Sequence, residues 1–65
     1  MIKCNLSEIL GRKKIKISEV SRETGINRGT LDRLYYDTTR RIDLDVIEIL
    51  CHYLDCGIEG LFTIQ

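Results

Sequence analysis

Apolar residues along this chain recur at helical spacing, in short blocks separated by polar joints. Leu6, Ile9 and Leu10 share one face of a segment from about Asn5 to Lys14, which predicts a first helix. Residues 1–4 before it read as extended. Gly11 sits inside that helix and weakens it by about 1 kcal/mol relative to Ala. Lys13, Lys14 and Lys16 load its C-terminal end with positive charge, which suits the helix dipole. Ser18 reads as the N-cap of a second short helix, with Glu19 and Glu23 inside it. Gly25 follows, at a position where a left-handed backbone is cheap only for Gly or Asn. Asn27 then caps a third helix, about Arg28–Tyr36, which turns Leu31 and Leu34 inward. Val20, Ile26, Leu31 and Leu34 are spaced to lock the second and third helices across a tight corner.

Beyond that corner, Tyr36–Arg41 reads as a polar, basic loop. Asp43 is the expected N-cap of a fourth helix running to about Leu54. Leu44, Ile47, Leu50, Cys51 and Leu54 form one stripe on it, and Val46, Ile49 and Tyr53 a second stripe alongside. Gly57 ends the segment, Ile58–Phe62 suggests a last short helical turn, and residues 63–65 read as a tail. The pattern predicts an all-α fold of five short helices in a single domain, residues 1–65.

Composition narrows what such a domain can do. At 65 residues there is room for one small core and none for a lidded cleft. No apolar run approaches the roughly 20 residues that span a bilayer. The N-terminus also lacks the long apolar core of a signal peptide, so a cytoplasmic location is expected. Cys4, Cys51 and Cys56 are an odd set without paired spacing, read as reduced, structural thiols. Cys51, His52 and Cys56 do not have zinc-site spacing, and no metal or other cofactor is expected.

The net charge of zero conceals an asymmetry. All ten Lys and Arg lie between Lys3 and Arg41 among five acids, giving that part +5. From Ile42 onward there are five acids and neither Lys nor Arg. A basic part beside an acidic one suggests one face for a polyanion and another kept away from it. The corner between the second and third helices pushes the polar side of the third outward, where it can enter a DNA groove.

The spacing Lys16-x-Ser18-Glu-Val20-Ser21-x-x-Thr-Gly25-Ile26-x-Arg28-x-Thr30-Leu31-x-x-Leu34 resembles the lambda-repressor-like (Cro/repressor, XRE-type) helix-turn-helix family. Thr39–Asp45 and Leu50-Cys51-x-x-Leu54-x-Cys56 look like small stand-alone bacterial and phage regulators of that kind. The resemblance spans nearly the whole chain. It implies an all-α domain that binds operator DNA, usually as a dimer, to regulate transcription.

On that resemblance the third helix is the reading helix, and base contacts fall at positions matching Arg28, Gly29 and Arg33. Thr30 and Asp32 complete the candidate base-reading face. Arg is the usual bidentate reader of guanine O6 and N7, so Arg28 and Arg33 are the expected carriers of specificity. Gly29 departs from the pattern, because it has no side chain to meet a base edge. Asp32 either accepts from cytosine N4 or orients an arginine, and repulsion by phosphates favours orientation. Phosphate contacts are expected from Lys16, Asn27, Thr38, Thr39, Arg40 and Arg41. A contact that relatives often make from the position of Ile17 is missing. Of Tyr35 and Tyr36, one should close the core while the other reaches outward.

His52 reads as a surface residue beside Asp45 and Glu48. No nucleophile–base pair, carboxylate pair or phosphate loop can be assembled, so no enzyme activity and no small-molecule substrate are expected. Val46, Ile49 and Tyr53, with Phe62 or Ile64, form either a homodimer surface or ordinary internal packing. Double-stranded DNA is the expected partner, with no membrane. The rival readings are a protein-interaction module on the same fold and a non-specific DNA-binding accessory protein.

Overall fold

The computed structural model describes all 65 residues. In chain order the elements are β1 (Ile2–Cys4), α1 (Leu6–Lys13), α2 (Ile17–Thr24), α3 (Arg28–Tyr35), α4 (Leu44–Leu54), α5 (Ile58–Leu61) and β2 (Phe62–Ile64). The five helices stand close to where the apolar spacing puts them. The fold is nevertheless not purely α. β1 and β2 pair antiparallel in the register Ile2 with Ile64, Lys3 with Thr63 and Cys4 with Phe62. Asn5 extends this clasp: its N–H donates to Leu61 O at 2.8 Å, and its Nδ2 to Thr63 Oγ1 at 2.7 Å. Strands of three residues carry no readable alternation, and their partners lie at opposite ends of the chain. Phe62 therefore belongs to β2 and not to the last helix.

Every helix contributes to one core of eleven buried residues. Leu6, Val20, Leu31, Leu50 and Leu61, one from each helix, have no exposed surface at all. At about 1.5–3 kcal/mol for each fully buried aliphatic side chain, this core is what sets the helices against one another. Ile15, Ile17, Tyr35 and Ile42 close its margins.

Three local expectations need correction. Helix α2 begins at Ile17, with Lys16 extended before it, so Ser18 lies in the first turn and caps nothing. Packing Ile17 against the core outweighs a cap worth about 1 kcal/mol. Asp43 stands at the N-cap position of α4 without bonding a backbone N–H through its side chain. Leu44 is 80% exposed and not a core residue. At about 100° per residue, the buried direction of α4 is that of Leu50 and Leu54, midway between the two apolar stripes. The outer member of each stripe, Leu44 and Ile49, consequently stays in solvent.

Helix α1 ends one residue early, at Lys13, and Lys14 takes the left-handed conformation with φ 57°. The Ile15 N–H then donates back to Leu10 O at 3.0 Å, a closure that brings Ile15 onto the core.

Candidate nucleic-acid interface

Backbone chemistry builds the corner between α2 and α3. Gly25 sits at φ 79° and donates its N–H to Ser21 O at 2.9 Å, closing α2. Ser21 Oγ then donates to Ile26 O at 2.8 Å, and Thr24 Oγ1 accepts from the Ile26 N–H at 3.2 Å. The Ser21 hydroxyl thus pins the turn. Ile26 is buried, and Asn27 starts α3 by accepting the Gly29 N–H through Oδ1 at 2.8 Å.

With the start of α3 fixed and Leu31 and Leu34 buried, its opposite face is set. Arg28 and Arg33 are exposed on it, while Gly29, Thr30 and Asp32 are partly covered. Arg28 Nε donates to Asp32 Oδ1 at 3.2 Å, one helical turn on. Both side chains are about half exposed, where such a pair adds only about 0.3–0.5 kcal/mol. Its effect is therefore orientation: Nε is occupied and both Nη groups are left to donate. Arg33 bends back the other way, placing Nη2 3.4 Å from Thr30 Oγ1. The two guanidinium groups are drawn toward the middle of the helix from opposite ends.

The loop after α3 is more ordered than its polar sequence suggests. Thr38 donates to Arg33 O through both its N–H, at 2.8 Å, and its hydroxyl, at 3.4 Å. Thr39 Oγ1 donates to Arg41 O at 2.7 Å. Those hydroxyl protons are committed inside the loop, while Arg40 and Arg41 stand exposed. Asp37, which nothing in the sequence singled out, is left-handed at φ 58° and accepts the Cys4 N–H through Oδ1 at 3.1 Å. Lys16 is exposed at the start of α2. Tyr35 packs against the core and Tyr36 is 68% exposed, their rings meeting edge to face at 5.0 Å.

Only Lys3 and Arg28, of ten cationic side chains, pair with a carboxylate. Lys16, Arg33, Arg40 and Arg41 carry their charge into solvent. One open surface depression is lined by Asn5, Glu8, Gly11, Arg12 and Gly60, with no apolar side chain. His52 is exposed, and no three His, Cys, Asp or Glu side chains gather in a way that would hold a metal. No helix is long and apolar enough to cross a membrane.

Val46 and Tyr53 on α4 are half-buried against the core, as is Phe62 in β2. Ile49 is 40% exposed and Ile64 82%. Tyr53 Oη donates to Glu23 Oε2 at 2.7 Å, joining α4 to α2. That bond pushes the phenol up to about 12. Burial pushes the Cys4 thiol up, and burial followed by the neighbouring Cys56 does the same to Cys51.

Comparison with known proteins gives a family-level result. The model of the Cro/C1-type HTH DNA-binding domain matches residues 5–65, nearly the whole chain. No curated protein matches.

Proposed function

We propose, from the premise that the chain belongs to the Cro/C1-type helix-turn-helix DNA-binding family, that it is a transcriptional regulator reading duplex DNA in a sequence-specific way, with α3 in the major groove. The observation that carries this reading is the exposed face of α3. Two arginines lie on it, each held by an acceptor of the same helix, and the unpaired cations Lys16, Arg40 and Arg41 stand on neighbouring segments. Arg28 and Arg33 read guanine O6 and N7. Asp32 orients Arg28, and Thr30 supports Arg33. Lys16, Arg40, Arg41 and the Asn27 amide group contact phosphates, while Thr38 and Thr39 shape the loop that presents the arginines. No step calls for a cofactor or a catalytic group.

The protein acts as a homodimer through the acidic part of the chain, so that two copies of α3 address half-sites about one helical turn apart. Exposed Ile49 on α4 and exposed Ile64 on β2, with the half-buried Val46, Tyr53 and Phe62, are the apolar residues that support this reading. A monomer in sedimentation at tens of micromolar, with and without bound duplex, would contradict it.

The test of the function is selection from a labelled pool of random duplexes, followed by titration across a salt series. A steep salt dependence with an enriched motif is expected. Steep dependence without a motif would mean a non-specific accessory protein. No binding at low salt would leave a protein-interaction module.

A further inference from the structure

The one departure from an ordinary reading face is Gly29, the second residue of α3, at the centre of its exposed side. The space its side chain would fill is not empty. A Cβ built there would stand 3.0 Å from Asn27 Oδ1 and 3.5 Å from Arg33 Nη1. The first contact is the capping oxygen that already holds the Gly29 N–H at 2.8 Å. The second is the head of an arginine four residues on, bent back along the helix by Thr30. A glycine in an exposed first turn costs up to about 1 kcal/mol relative to Ala, and φ at this position does not require it. What it provides is a notch.

We propose that Gly29 is a specificity-determining position of this chain, because its missing side chain makes the notch in which the Arg33 guanidinium lies. This inference rests on the DNA-binding function above. Arg33 takes over the base position that a side chain at residue 29 would otherwise face, and it reads a guanine there with its fork held against the helix backbone. Asn27 closes the notch on the N-terminal side. Arg28 lies on the opposite flank, turned toward Asp32, and leaves the notch free. Gly29 itself touches no base and is a positioning residue.

Steric reach grades the possible replacements. At 3.5 Å a Cβ makes ordinary contact with the guanidinium, so Gly29→Ala crowds the Asn27 cap, at 3.0 Å, more than it crowds Arg33. A side chain reaching one bond further meets the guanidinium head, so Gly29→Leu displaces it. Leucine is a better helix former than glycine but crowds the Asn27 cap at 3.0 Å, so the melting temperatures are needed to separate an effect on DNA reading from a loss of stability.

The experiment selects random duplexes with the wild type, Gly29→Ala, Gly29→Leu, Arg33→Ala and the Gly29→Leu/Arg33→Ala double variant, and measures each melting temperature. The wild type should enrich a guanine at one position, and Gly29→Ala should retain more of that preference than Gly29→Leu does. Gly29→Leu should lose preference for guanine at that position, by roughly ten- to a hundred-fold, while its melting transition stays cooperative and above the selection temperature. Arg33→Ala should lose the same position, and the double variant should be no worse than either single one. The inference is overturned if Gly29→Leu keeps that guanine, weakens all sequences alike, or adds its loss to that of Arg33→Ala. A wild type that binds without enriching any motif overturns the sequence-specific function first, and this inference with it.

Discussion

Tyr53 and Glu23, thirty residues apart, meet in a single 2.7 Å hydrogen bond that joins the middle of α4 to α2. The neutral phenol is the donor, and this holds its pKa near 12, above the ordinary 10. Folding thus favours the protonated form. The stabilisation is complete below pH about 10 and disappears as pH rises through about 12. Wild type should accordingly exceed Tyr53→Phe in urea stability at pH 8, with the difference vanishing between pH 10 and 12. Absorbance titration should find one of the three tyrosines ionising late, and the variant should lack that phase. A constant difference across this range would mean that the bond does not form in solution.

Asp37 should act as a structural residue although it lies in the basic loop. Its carboxylate accepts the Cys4 N–H while its own backbone is left-handed. Asp37→Ala removes the acceptor and leaves a strained alanine, which should cost about 1–3 kcal/mol in urea unfolding. Asp37→Asn retains an oxygen acceptor and a residue tolerant of that conformation, and should stay close to the wild type. Equal losses from the two variants would rule out this role.

The two candidate caps should separate cleanly. Asn27→Ala should destabilise by about 1 kcal/mol, because the Gly29 N–H loses its acceptor. Ser18→Ala should stay within about 0.5 kcal/mol, since Ser18 is exposed in the first turn of α2 and caps no N–H. Denaturant midpoints compared at constant slope decide it. A larger loss at Ser18 would restore it as the cap.

Arg40 should contribute affinity without sequence preference. It is exposed in the loop that follows α3 and has no carboxylate partner. Arg40→Ala should weaken binding to all duplexes alike and reduce the slope of log affinity against log salt by about 1. A changed motif would instead move Arg40 into the base-reading set.

What the sequence makes legible is local. Buried Val20, Ile26, Leu31 and Leu34 and left-handed Gly25 stand where their spacing puts them, because a tight helical corner is determined by residues a few positions apart. The pairing of β1 with β2, the Asp37 bond to Cys4 and the Tyr53 bond to Glu23 are long-range, and each depends on how whole helices are set in space. Leu44 departs from its apolar stripe for a related reason. Two adjacent stripes fit the α4 pattern equally well, and only the packing of Leu50 and Leu54 fixes the direction between them. At the interface, the residue types of α3 were legible, but the directions of Arg28 and Arg33 were not. They follow from the bonds to Asp32 and Thr30.

That α3 meets the DNA is tested most directly by amide NMR of the labelled protein titrated with a duplex taken from the selection. The largest shifts should fall on Asn27–Arg33, with smaller ones at Lys16 and Thr38–Arg41. Saturating binding that leaves the Asn27–Arg33 amides unmoved would contradict the reading of this helix as the one that enters the groove.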